Sequence, residues 1–326
     1  MNTQVKLAII AIIIVIPLTS FAVTQPSFTS EISTSDNSKL QVVTSANFLY
    51  EFTQNIGNEM IDVDLLVPMG VDPHDWEPTI RDTERLQKSD MIIINGIGYE
   101  HWIGSLELTG IAGILVDTSN GISTLDSIKY DEEKHDDDAK EDGHDEHTEE
   151  DGHDERNHGA LDPHIWLNPV YAQLQVKNIA NALSNSDPTN KNYYQSNAAI
   201  YNQELNLLDT KIRTELSGCT TDFITFHDAF SYFSKEYGLT QHTIISSTDS
   251  HGEVTLQTLE NIISLARELN IKVIFAEEST STKTSQVIAD EIGGKVLVLS
   301  PLEIVSDETY VEKMTQNLES LKEALC

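Results

Sequence analysis

The chain has 326 residues and a 39% hydrophobic fraction, enough for two ordinary domains or one large one. Its 20 Lys and Arg against 53 Asp and Glu leave a formal net charge of −33. That balance excludes a nucleic-acid binder, whose phosphate contacts need Lys and Arg, and suits a collector of cations.

Residues 1–22 read as a leader and not as part of the fold. Lys6 gives a positive start, residues 7–18 are apolar, and Ser20-Phe21-Ala22 is a small-x-small exit, so a secretory signal with cleavage before Val23 is expected. The run is short for a membrane span, and an uncleaved N-terminal anchor is the alternative. No Cys follows it, which argues against a lipid-modified N-terminal Cys. Residues 23–39 are rich in Ser and Thr and read as a polar spacer.

From residue 40 the pattern alternates strand and helix. Residues 40–44 predict a strand, 47–56 a helix and 61–67 a second strand. A stiff turn follows, Asp72-Pro73-His74-Asp75-Trp76-Glu77-Pro78, in which two prolines preset the backbone around one imidazole. Residues 79–88 predict a helix capped by Thr79, and 91–95 a fully apolar strand suited to a parallel sheet. Gly96-Ile97-Gly98 lacks the third glycine of a dinucleotide loop, and His101 reads as a surface or packing residue. A short helix over 102–108 and a strand over 113–116 complete the first half.

Residues 130–158 break the composition. They are almost all Asp, Glu, His, Lys and Gly, with a tandem Asp-Gly-His-Asp-Glu repeat, and cannot bury a core. The segment reads as a solvated acidic loop. His135, His144, His147, His153 and His158 also suit weak, exchangeable capture of divalent cations. Immediately after it comes a second stiff turn, Asp162-Pro163-His164-Ile165-Trp166-Leu167-Asn168-Pro169.

Helical spacing then covers 170–183 and, after a break, 190–216, an amphipathic run ended by Gly218 and long enough to span two lobes. The second half repeats the alternation. Strands are expected at 223–226, 243–245, 273–276 and 296–299, and helices at 229–237, 255–270, 285–292 and 310–325. The division is therefore an N-terminal lobe over 40–186, a linking helix over 190–217 and a C-terminal lobe over 219–326. Cys219 and Cys326 are either a bridge, favoured outside the cell, or two free thiols.

His74, His164, His227 and Glu303 stand in proline-stiffened turns or where a strand gives way to a loop, which is where open α/β sheets collect ligands. Three imidazoles and one carboxylate suit Zn²⁺; Mn²⁺ sites usually hold more carboxylate, although intrinsic affinity also admits Cu²⁺, Ni²⁺ or Co²⁺. Asp72, Asp162 and Asp228 adjoin these histidines and either fix imidazole tautomers or cap turns. Glu277, at the end of the 273–276 strand, is a rival fourth ligand.

The chain resembles the metal-binding solute receptors of ABC importers, in their zinc-uptake branch. The likeness rests on the two Asp-Pro-His turns, Asn95-Gly-Ile-Gly-Tyr-Glu100, Thr225-Phe-His-Asp-Ala-Phe-Ser-Tyr232, Phe275-Ala-Glu277 and Ser300-Pro-Leu-Glu303, in the family's order. It implies two α/β lobes, each with a mainly parallel sheet, joined by one long rigid helix with metal in the cleft between them. The third box carries a histidine in zinc receptors and a glutamate in most manganese ones; here it is His227. Many members have an Asp at the position of Ser300, whereas a sister branch ligates through the acid two residues after the proline, and this favours Glu303 over Glu277. The resemblance implies an extracytoplasmic monomer, not an enzyme, that delivers zinc to a membrane permease. A manganese or iron receptor of the same fold and a secreted zinc hydrolase are the alternatives, and an adhesin-like role is known among relatives.

Overall fold

The computed structural model describes residues 39–68, 71, 73–74, 76–107, 110–125, 161–245, 254–278 and 282–326. The expected leader, most of the spacer, the acidic insert with its five histidines, and Asp72 lie outside them. Among the described residues, no helix is long and apolar enough to cross a membrane.

The first half builds β1 (Leu40–Thr44), α1 (Asn47–Gly57), β2 (Ile61–Leu65), α2 (Ile80–Lys88), β3 (Met91–Ile94), α3 (Ile103–Glu107) and β4 (Ile114–Asp117). All four strands are parallel, in the order β2-β1-β3-β4, with Val42 opposite both Val63 and Met91. β3 reads Met-Ile-Ile-Ile because it is central and buried on both faces. Thr79 closes a capping box with Asp82, which is why α2 starts where it does.

Two antiparallel helices, α4 (Pro169–Ser186) and α5 (Lys191–Glu215), lead to the second half. α5 has 25 residues, about 38 Å at 1.5 Å per residue. Its buried side, through Tyr194, Ala198, Tyr201, Leu205, Leu208 and Ile212, is the expected i, i+3/i+4 stripe. There follow β5 (Asp222–Thr225), α6 (Ser231–Tyr237), β6 (Thr240–Thr243), α7 (Leu256–Glu268), β7 (Val273–Ala276), α8 (Lys283–Ile292), β8 (Lys295–Val298) and α9 (Tyr310–Leu325). This sheet is also all parallel, in the matching order β6-β5-β7-β8. Gly238 and Gly293 end α6 and α8 in the left-handed conformation that a side chain disfavours.

The main apolar core is continuous between the sheets. It joins Val42, Phe52 and Ile93 to Trp166, the buried side of α5, Phe223, Phe275 and Leu318. Smaller clusters cover the outer face of each sheet. Cys219 and Cys326 form a disulfide that ties the end of α9 to the chain just after α5, with Cα atoms 4.7 Å apart.

One strand differs from its expected place. The sixth strand occupies Thr240–Thr243 and not 243–245. Apolar Ile244 and Ile245 suggested the later start, but the polar residue Gln241 is spent inside. Its amide donates to Thr225 Oγ1 at 2.7 Å and to the His227 carbonyl at 3.0 Å. Both amide hydrogens are thereby satisfied, although Gln241 Oε1 has no hydrogen-bond partner among the described residues, and the strand forms around this side chain.

Candidate metal centre

In each sheet the strand order reverses beside the first strand, between β1 and β3 and between β5 and β7. Crevices at such points, outside the carboxyl ends of the strands, are where α/β sheets hold ligands. His227 lies two residues after β5, Glu277 directly after β7, and Glu303 in the loop after β8. His74 comes from the turn between β2 and α2, and His164 from the turn before α4. The structure brings His74, His164, His227 and Glu303 together, with one ligand atom from each lying within 4.8 Å of all the others. His74 Nε2 is 2.8 Å from Glu303 Oε1, His164 Nε2 is 3.3 Å from it, and the Nε2 atoms of His164 and His227 are 3.5 Å apart. A tetrahedral site with bonds of about 2.1 Å has donor–donor edges of about 3.4 Å.

The two buried histidines are mounted in the same way. For His164, Asp162 Oδ1 accepts from the residue's own N–H at 2.9 Å and from its Nδ1 at 2.8 Å. For His227, Glu277 Oε1 does both, at 3.1 Å and 2.6 Å. A carboxylate only accepts, so each Nδ1 carries its proton and each Nε2 faces the common point. Glu277 therefore stands behind His227 and is not in the four-residue cluster. Asp162 takes the tautomer-fixing role. Asp228 does not take it for His227, whose Nδ1 is on Glu277; it accepts from Ser231 Oγ, at the start of α6, at 2.7 Å.

Several residues outside the four-residue cluster brace these turns and the strand end beside them. Asn95 Nδ2 donates to the Pro163 carbonyl at 2.9 Å, and Asn95 is itself held by Gln175 at 3.0 Å. Tyr232 Oη, from the second half, donates to the Asp162 carbonyl at 2.8 Å. Glu100, at the reversal point of the first sheet, accepts from Ser45 Oγ and from the N–H groups of Asn95 and Gly96. Burial pushes its carboxyl up to about 7 against those three bonds. Asn95, Glu100 and Tyr232 stand in the boxes that carry the family resemblance, but no periodicity marks a hydrogen-bonding role, and Gln175 carries no local signal at all. His101 is a surface residue, as expected, 3.1 Å from Glu77.

The electrostatics favour a cation. Asp162, Glu277 and Glu303 are three buried carboxylates around three imidazoles. The second oxygens of Asp162 and Glu277 have no hydrogen-bond partner among the described residues. Burial pulls the His164 imidazole down, but Asp162 and Glu303 outweigh it and push it up to about 10. Burial likewise acts to raise Glu303, yet the facing His74 and His164 hold it well below the usual carboxylate range. A proton thus stands where a metal would otherwise balance the charge.

Comparison with known proteins agrees with this geometry. The family model described as ZnuA, zinc-uptake complex component A, periplasmic, matches residues 42–324. The high-affinity zinc uptake system protein ZnuA of Bacillus subtilis is 41% identical over 300 residues, covering 89% of each chain. The crystal structure of the metal-dependent lipoprotein YcdH from Bacillus subtilis is 37% identical, with a TM-score of 0.71 over 88% of this chain and 99% of that one. Zn(II)-bound AdcA from Streptococcus pneumoniae is 27% identical, with a TM-score of 0.71, and this chain spans only 57% of its length. The parallel twin sheets, the long helix and the match over nearly all the described residues give one conclusion: the chain belongs to the ZnuA family of zinc-uptake components.

Proposed function

We propose that His74, His164, His227 and Glu303 hold one Zn²⁺ as cargo, and that the protein captures it outside the cytoplasm and passes it to the permease of an ABC importer. The observation that supports this most strongly is the pairing of the two buried histidines. Both spend Nδ1 on a carboxylate, and their Nε2 atoms meet 3.5 Å apart beside a third carboxylate. Without a proton, that is a convergence of lone pairs, and only a cation relieves it. Nitrogen-rich, four-donor chemistry fits zinc better than the oxygen-rich shells of Ca²⁺ or Mg²⁺, and Mn²⁺ usually takes more carboxylate.

A hydrolase would need three protein donors and an open position for water. Here the fourth donor already lies within 3.3 Å of His164 and 2.8 Å of His74, which supports binding over catalysis. The test is chelator competition for Zn²⁺ in the wild type and in the His74→Ala, His227→Ala double variant. Affinity is expected to collapse in the variant. Unchanged affinity would assign the zinc to other residues, with the acidic insert the first place to look.

A further inference from the structure

The fourth donor sits in a loop that is fastened at three consecutive residues, none of which touches the proposed metal position. Asn317 of α9, only 3% exposed, grips Ser300 twice: its Oδ1 accepts from the Ser300 N–H at 2.7 Å, and its Nδ2 donates to the Ser300 carbonyl at 2.7 Å. The next carbonyl, on Pro301, accepts from Trp166 Nε1 at 2.8 Å. Leu302 follows with φ at 62°, the left-handed region that a branched side chain rarely enters. Its N–H reaches back to Ser300 Oγ at 3.2 Å, while that hydroxyl donates to Glu278 Oε2 at 2.9 Å. Glu278 is in turn held by Lys313 of the same helix. Glu303 comes next in the chain, so the strained turn sets where its carboxylate points.

We propose that Asn317 is the positioning residue for Glu303: its paired hydrogen bonds to Ser300 hold the strained Ser300–Leu302 turn, so the carboxylate is in place before metal arrives. This rests on Glu303 being a zinc ligand. A loop that had to be ordered at binding would lose part of its affinity to that ordering. Asn317 is thus a determinant of zinc affinity contributed by the C-terminal helix. Trp166 adds a second fastening from the first Asp-Pro-His turn's counterpart at 162–169, so the loop is braced from both halves.

The experiment is a double-mutant cycle on the full chain: wild type, Asn317→Ala, Glu303→Ala and the double variant, read by Zn²⁺ competition and by the visible spectrum of bound Co²⁺. Asn317→Ala is expected to weaken zinc by about 10- to 100-fold, the range for residues that orient a ligand. It is expected to add nothing in the Glu303→Ala background, and its Co²⁺ band should take the Glu303→Ala shape. Unchanged affinity, or an equal loss in both backgrounds, overturns the proposal, since a general loss of structure would act without regard to Glu303. If Asn317→Ala does not fold, Asn317→Asp keeps the side-chain shape and the acceptor for the Ser300 N–H but removes the donor to the Ser300 carbonyl, and is read by the same cycle. Wild-type protein that binds no zinc overturns the zinc reading together with this proposal; wild-type binding with an indifferent Asn317 overturns the proposal alone.

Discussion

At residues 162–164 the Asp-Pro-His turn is sunk between the two sheets. His164 is wholly buried, its Nδ1 is on Asp162, and its neighbours' carbonyls are held by Asn95 from one half and Tyr232 from the other. At 73–74 the corresponding turn lies at the mouth of the same site. His74 keeps 11% of its side chain exposed and meets the cluster through Glu303 and an edge-on contact with Tyr99. The two turns have the same three residue types in the same order. What separates them is depth: His164 is wholly buried with its turn held from both halves, whereas His74 is partly exposed, so one motif is seated at two levels of burial. His164 belongs to the scaffold of the site, and His74 is the donor that faces solvent.

The sharpest way to break this contrast is His164→Ala. It removes a donor and strands the Asp162 carboxylate in the core, so both binding and folding should suffer. If one of four donors supplies about a quarter of roughly 12–16 kcal/mol of zinc binding, affinity falls about 100- to 1000-fold. The zinc-free protein should also unfold several degrees lower, because a buried charge has lost its partner. His74→Ala should lower zinc affinity on a similar scale but cost the zinc-free protein a smaller drop in melting temperature, since it takes one partner from the buried Glu303 while leaving Asp162 paired with His164. Equal melting losses in the two variants would erase the distinction between the turns.

Asp162→Asn keeps every ligand and removes only the acceptor charge behind His164. A loss of about 10- to 100-fold in zinc affinity is expected from competition titrations. The matching change behind the second mounted histidine, Glu277→Gln, should cost about the same, and a negligible cost in either would show that the backing carboxylates do not tune the donors.

Acid–base linkage sharpens the contrast further. The zinc-free His164 imidazole, pushed up to about 10, is protonated at neutral pH, so zinc must displace that proton. Calorimetry in buffers of different ionisation enthalpy should find about one proton released on binding, and affinity should climb roughly tenfold per pH unit below pH 10. Because the folded-state value lies above the unfolded one of about 6.5, this group's contribution to the stability of the zinc-free protein is complete below that pH. The contribution is lost as pH rises through about 10, and Asp162→Asn should flatten that decline. The smallest effect belongs to His101→Ala, on the exposed pair with Glu77, which should leave zinc affinity unchanged within error.

Much of the architecture was legible because apolar periodicity is a strong signal. Fully apolar β3 and β7 read as buried parallel strands, and the stripe from Tyr194 to Ile212 read as one long helix. Thr79 announced the start of α2 through the cap it forms, and Thr255 and Thr309 prove to cap α7 and α9 in the same way. The three histidines were legible because proline turns and strand ends are recognisable places for ligands, while Glu303 was preferred to Glu277 only through the family resemblance. What stayed hidden was orientation. A glutamate at the end of β7 looks the same whether it meets a metal or the far nitrogen of His227, and only the packed structure shows that Glu277 does the latter. Asp228 looked equivalent to Asp162 beside its histidine, yet the start of α6 draws it to Ser231. Gln241 was missed for a related reason: buried polar residues are located by their partners, and those partners are distant in sequence.

Anomalous diffraction at the zinc edge, from crystals grown with one equivalent of Zn²⁺, addresses the four-donor site most directly. A single strong peak about 2.0–2.2 Å from Nε2 of His74, His164 and His227 and from one Glu303 oxygen is the expected result. A peak on the acidic insert at one equivalent, or a central peak with Glu303 turned away and Glu277 in its place, would contradict it.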